Sequence, residues 1–214
     1  MKYISLIAIY LTLSVCALAT PDIPGRIIYK GNEYFLFTNP LDFLIEMNPN
    51  MEPKIKINDS TYNLPEYYVE YEIIENQLIL KDIVNLDESY NKEAPSLLQN
   101  LFPNKKQVKA DWFSGLLVLP YGKLINYVHM GFASTYENYK LLEINKGNLI
   151  KEMNMNSKEY EKLKEKQFAA YKKTEKYKKV IAIFKENEGN IKDGDLDPFL
   201  KILLTDYTTL ILTE

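Results

Sequence analysis

The sequence predicts an α+β chain, mainly β, in which an antiparallel hairpin-built sheet or sandwich carries a long C-terminal helix packed on it. Three observations lead there. Between Arg26 and about Met153, short runs rich in Ile, Leu, Val, Tyr and Phe are divided by turns bearing Gly or Asn. Beyond Asn154 the composition shifts to Lys and Glu, with apolar residues every three or four positions. Finally, 46% hydrophobic and 26% charged residues over a 214-residue chain is the balance of one globular domain with at most an appendage, which excludes a disordered, collagenous or polytopic membrane chain.

The first element is an address. Lys2 precedes an apolar run from Tyr3 to Val15, and Ala17-Leu18-Ala19 forms an A-x-A site before Thr20-Pro21. This is the pattern of a signal peptide over residues 1–19, too short to span a bilayer, which takes about 20 residues. The chain is therefore expected to be exported: periplasmic, secreted or at the cell surface. Leu13-Ser14-Val15-Cys16 offers a second outcome, acylation of Cys16 as in a bacterial lipoprotein, although Val15 departs from the small residue that normally precedes that cysteine. An uncleaved anchor is the third. Plain cleavage removes the single cysteine, so no disulfide is expected and stability rests on core burial. The formal net charge of −3 becomes one unit more negative without Lys2, which argues against a nucleic-acid partner.

Residues 20–153 read as the β domain, with four hairpins. Their turns are Lys30-Gly31-Asn32, Glu75-Asn76, Pro120-Tyr121-Gly122 and Asn145-Lys146-Gly147, where Gly or Asn tolerates a positive φ. The last three share a polar residue and then Leu-Ile behind the turn, at Gln77, Lys123 and Asn148, but the unequal spacing excludes a fixed-period repeat. Val69, Tyr71 and Ile73 alternate with Glu70 and Glu72, as a half-buried strand requires. A short helix is expected after Asn39-Pro40-Leu41, through Phe43 to Ile45. Another is expected inside Ala94 to Phe102, bracketed by Pro95 and Pro103.

Residues 154–214 read as a helical appendage. Ser157 is the expected N-cap, and Tyr160, Leu163, Gln167, Tyr171, Thr174, Tyr177, Ile181 and Phe184 form one stripe on a continuous helix of about 30 residues, whose C-terminal half packs on the sheet while its N-terminal half is solvated. Asp197-Pro198 begins a short helix through Leu204. Thr208 to Thr213 is β-branched enough for an edge strand, with further helix as the alternative.

Chemistry-bearing residues are few. His129 has an ordinary pKa near neutrality, and Ser134 and Glu137 supply the hydroxyl and carboxylate of a relay, so these three are the candidate catalytic residues; a structural histidine at a strand end is the competing account. No nucleophile-elbow pattern surrounds them. With one His and one Cys, no metal site is expected. Asp193-Gly194-Asp195-Leu196-Asp197 does not fit the calcium-loop spacing and reads as an Asp-Gly turn followed by an Asp197 N-cap. The 17 tyrosines are the compositional anomaly. Exposed rings at Tyr67, Tyr71, Trp112 and Tyr136, beside His129 and Glu137, would make a binding surface for a protein or carbohydrate; cross-strand packing is the plainer account of the same rings. Lys172-Lys173, Lys176 and Lys178-Lys179 are interleaved with Glu, as on a solvated helix, so a membrane partner is expected only if Cys16 is acylated.

Residues 27–150 resemble a family of uncharacterised bacterial proteins, through Asn39-Pro40-Leu41, Leu101-Phe102-Pro103, Ala110-Asp111-Trp112-Phe113-Ser114-Gly115 and Tyr127-Val128-His129-Met130-Gly131 with Ser134, Tyr136 and Glu137. The resemblance implies a bacterial exported protein with the same hairpins and brings no activity with it. Where that family shows Trp-Arg-Gly, this chain has Leu64-Pro65-Glu66, so an anion site built on that arginine is not expected here. The reading that follows is an exported, non-enzymatic binding protein without a cofactor. Its alternatives are an immunity-type protein that neutralises a toxin, which predicts an acidic exposed patch, and a hydrolase using His129.

Overall fold

Three two-residue turns set the frame. In the computed structural model, which describes residues 24–54, 67–85, 96–128, 132–188, 194 and 196–203, both positions of Lys30-Gly31, Glu75-Asn76 and Lys146-Gly147 have positive φ. That is the backbone of a type I′ turn, whose twist matches that of the strands it joins. These turns link β1 (Gly25–Tyr29) to β2 (Asn32–Leu36), β3 (Tyr67–Ile74) to β4 (Gln77–Asn85), and β7 (Thr135–Asn145) to β8 (Asn148–Asn156). The short β5 (Val108–Lys109) pairs with β4, and β6 (Gly115–Asn126) pairs antiparallel with β7.

The strands form one mixed eight-stranded sheet in the order β2-β1-β3-β4-β8-β7-β6. Every pairing is antiparallel except β1 with β3, because the chain returns to β3 through α1 (Pro40–Met47) and a 3-10 helix (Pro49–Lys54). The two halves of the sheet join at β4–β8, where Gln77 opposite Asn148 is the one registered pair, flanked by Leu78 N–H to Gly147 O at 2.9 Å and Leu149 N–H to Asn76 O at 2.8 Å. Its two outer edges then meet. Phe37 N–H donates to Val118 O at 2.9 Å. The Thr38 hydroxyl donates to Leu116 O at 3.0 Å and accepts from Val118 N–H at 3.2 Å.

Inside this wrap lies the main core, including Ile27, Leu36, Tyr71, Leu80, Leu117 and Leu142, all essentially inaccessible. Leu41 and Leu44 of α1 and Leu98 and Leu101 of α2 (Leu98–Leu101) close it. α1 starts where it does because the Asn39 side chain accepts from Leu41 N–H at 3.2 Å and Pro40, needing no N–H partner, occupies the first turn. The other side of β6 and β7 is covered by α3 (Ser157–Tyr171), whose Tyr160 and Leu163 pack on Phe37, Leu116, Val118, Tyr139 and Leu141. Tyr139 and Tyr160 stack with centroids 4.0 Å apart.

Four expectations need correction. Pro120-Tyr121-Gly122 is not a turn: β6 runs through it as a 12-residue strand with register shifts against β7 between Tyr121 and Asn126. By alternation with Leu116 and Val118, Pro120 turns its missing N–H toward β2 and away from the β7 ladder, and Gly122, at φ +83, takes up the bulge. The long C-terminal helix is two helices, α3 and α4 (Glu175–Glu188). Thr174 breaks it: its hydroxyl donates to Tyr171 O at 2.7 Å and accepts from Tyr177 N–H at 3.2 Å, capping α4. The sheet contact is also the reverse of that expected. The N-terminal helix α3 lies on the sheet, whereas Ile181 of α4 joins Phe168 and Tyr171 of α3 and Leu200 of α5 (Asp197–Leu203) in a separate small cluster. Lastly, the cap of α3 is Asn156, not Ser157: its carboxamide accepts from Lys158 and Glu159 N–H while Glu159 accepts from Asn156 N–H, a complete capping box. β8 therefore continues to Asn156. Residues 1–23, Ala94, Pro95 and 204–214 lie outside the described residues.

Candidate functional site

The hydroxyl and carboxylate of the expected relay sit where β6 and β7 project beyond the rest of the sheet. Residues 122–127 are all exposed, so both faces of this ribbon meet solvent. Ser134 closes its loop: the hydroxyl accepts from Val128 N–H at 3.1 Å and donates to Val128 O at 3.2 Å. Both of its hydrogen-bonding functions hold the backbone. Glu137 is exposed beside the Gly122 bulge, where Oε2 accepts from Lys123 N–H at 3.4 Å. Tyr136 is half-buried, its ring edge-on to Phe37 at 5.7 Å and its N–H donated to the Tyr139 hydroxyl at 2.9 Å. His129 lies outside the described residues.

The other aromatic candidates gather at the opposite end of the β6–β7 ladder, around α1. Trp112 donates its indole N–H to Pro40 O at 2.8 Å and stacks on Phe102 at 5.8 Å. Tyr71 is fully buried, and burial above all pushes its phenol well above the ordinary value, with Asp42 and Tyr67 adding to the shift. Tyr67 is half-buried against the same core. Gly115 pairs with Ile144, whereas Glu137 is seven residues back along β7, or about 23 Å at the rise of a strand. Trp112 and Glu137 therefore do not share a surface, and the expected set Trp112, Tyr136, Glu137, Tyr67, Tyr71 divides into a group packed on the main core, with Tyr71 buried and Trp112 and Tyr67 half-buried, and a ribbon group.

Two clusters escaped sequence reading. At the junction of β1, β7 and β8 the Tyr29 hydroxyl donates to Glu152, Lys30 reaches the same carboxylate at 2.7 Å, and Lys140 lies 3.7 Å from it. The bonds from Lys30 and then Tyr29 hold the Glu152 carboxyl below its ordinary value, while burial and then Glu152 raise the Tyr29 phenol. In the appendage, Asp197 does not cap its helix. It accepts from Lys172 and, at 2.7 Å, from the Tyr177 hydroxyl, and these bonds together outweigh the upward push of burial and lower its carboxyl. A groove of about 460 Å³ between α3 and α5 is floored by Phe168 and rimmed by Lys172–Asp197 and Lys201–Glu165 pairs. Partners 123 and 25 residues apart leave no local pattern to read.

The solvent-facing side of β1 to β4 is a third feature. Two cross-strand rows lie there: Phe35, Arg26, Glu70 and Asp82, and beside them Glu33, Ile28 and Glu72. Ile28 is 42% and Phe35 49% exposed. Among the described residues no group of three or more His, Cys, Asp or Glu side chains is arranged to hold a metal ion, and no helix is long and apolar enough to cross a membrane. No protein-family model, curated protein or solved structure matches the chain.

Proposed function

We propose that the chain is an exported, non-enzymatic binding protein whose ligand is a protein or carbohydrate. One observation carries this reading: large apolar side chains stand on solvent-facing strands, with Ile28 and Phe35 on β1–β2 and Leu124, Ile125 and Tyr127, the last three 49%, 59% and 63% exposed, on the ribbon. Apolar groups held out of the core on rigid strands are what a recognition surface presents. The hydroxyl of Ser134, committed to the loop backbone, supports the same reading. The test places a photo-reactive phenylalanine analogue at Phe35 or Leu124 of the full chain and irradiates it in the exported fraction. A discrete adduct is expected that a probe at the half-buried Trp112 does not form. Turnover of a defined substrate by metal-stripped protein, abolished in His129→Ala at unchanged melting temperature, would overturn the proposal in favour of the hydrolase.

The immunity-type reading is a narrower form of the same function, and the charge on the β1–β4 face favours it: Glu33, Glu70, Glu72 and Asp82 outnumber Arg26 and Lys81.

A further inference from the structure

The β1–β4 face is not uniformly acidic, and its pattern is more informative than its net charge. Ile28 and Phe35 occupy diagonal positions on neighbouring strands, and the carboxylates surround them. Both cations of the face are engaged within it. Arg26 lies 3.4 Å from Glu33 and its guanidinium is 5.3 Å from the Tyr68 ring centre, while Lys81 is 3.2 Å from Glu72 and bonds Gln107 at 2.9 Å. Glu70 and Asp82 are directly opposite each other in the β3–β4 register. Their acceptors are met by neutral donors, the Tyr68 hydroxyl for Glu70 and the Ser96 hydroxyl and Ile83 N–H for Asp82. Among the described residues neither carboxylate makes an ion pair. Two carboxylates face to face across a ladder repel each other in the isolated chain, an arrangement that sheet stability alone disfavours.

We infer that this face docks the cationic surface of a protein partner, with an arginine or lysine of that partner bridging Glu70 and Asp82 and apolar side chains covering Ile28 and Phe35. The inference rests on the binding-protein reading and names its partner. A guanidinium has the fork geometry to bond two carboxylates at once, turning the repulsion into attraction on binding. The apolar pair in the middle supplies the desolvated centre such a contact needs, and the remaining carboxylates supply the polar rim.

The test uses the full chain and two acetylated octapeptides, one alternating Arg with Leu and one alternating Glu with Leu, titrated while backbone amide shifts are followed. The Arg peptide is expected to bind at least about tenfold more tightly, to weaken as salt is raised from about 50 to 500 mM, and to shift the amides of Arg26, Ile28, Glu70 and Asp82. Glu70→Gln and Asp82→Asn keep the oxygen acceptors and the fold, shown by an unchanged melting temperature, and each should weaken the Arg peptide about tenfold. Equal affinity for the two peptides, no binding, or shifts confined to the ribbon would overturn the inference. So would a concentration-dependent dimer that Phe35→Asp dissociates, since the face would then belong to a second copy. The binding reading itself fails on a different result, substrate turnover lost in His129→Ala, so the two failures are distinguishable.

Discussion

Thr38→Val is isosteric and removes one hydroxyl from the place where the two edges of the sheet meet. Thr38 is 2% exposed, and its hydroxyl both donates to Leu116 O and accepts from Val118 N–H. Valine fills the same space and leaves a buried donor and a buried acceptor without that partner, each worth about 1–3 kcal/mol when orphaned. The added methyl contact offsets a fraction of this, so a net loss of about 2–4 kcal/mol is expected. In a domain of this size that is a fall in Tm of about 5–10 °C. Thr38→Ser, which keeps the hydroxyl and loses one methyl, should cost only about 1 kcal/mol. Urea unfolding of the three proteins measures the differences, and hydrogen exchange at Val118 reports the local effect. A Thr38→Val protein within about 0.5 kcal/mol of the parent, or less destabilised than Thr38→Ser, would refute the argument that this hydroxyl closes the sheet.

Gly147 has φ +70, and a Cβ there would lie 2.8 Å from Ala110 O, a backbone atom that cannot swing aside. Gly147→Ala should therefore cost at least about 2 kcal/mol in urea unfolding. Thr174→Ala removes the cap of α4, with an expected loss of about 1 kcal/mol, read as faster exchange of the Tyr177 amide with little change at Tyr160. Glu152 titrates below its ordinary value of 4.5 in the folded chain, so its contribution is fully present above that pH and is lost as pH falls through the folded value. Glu152→Gln should accordingly be less stable than the parent at neutral pH, and its stability should change less between about pH 5 and pH 2, as followed by thermal melts across that range.

What was legible in the sequence was local. Lys30-Gly31, Glu75-Asn76 and Lys146-Gly147 announce themselves because a two-residue hairpin needs left-handed backbone, and the alternation of Val69, Glu70, Tyr71 and Glu72 gives the buried and exposed sides of β3. Pro120-Tyr121-Gly122 has the same composition as a turn, and only the position of Pro120 relative to β2 and β7 shows why it stays in a strand. The stripe from Tyr160 to Ile181 keeps its period across Lys172 and Lys173, so nothing in the spacing marks the break that the Thr174 hydroxyl makes. The site was harder still. The sequence offers Trp112 and Tyr71 either as recognition aromatics or, more plainly, as packing residues; Trp112 bonds the start of α1 and Tyr71 is buried in the core, a choice that ring size alone does not make. The row Phe35, Arg26, Glu70, Asp82 exists only through the parallel pairing of β1 with β3, which no short motif encodes.

The closing bonds between Thr38 and β6 join residues 78 and 80 positions apart. During synthesis, an emerging N-terminal half holds β2 as a bare strand edge until Leu116 to Val118 arrive, a long interval in which the chain is open to mispairing with a neighbour. Fragments cut ahead of β6 should therefore aggregate where the intact chain does not.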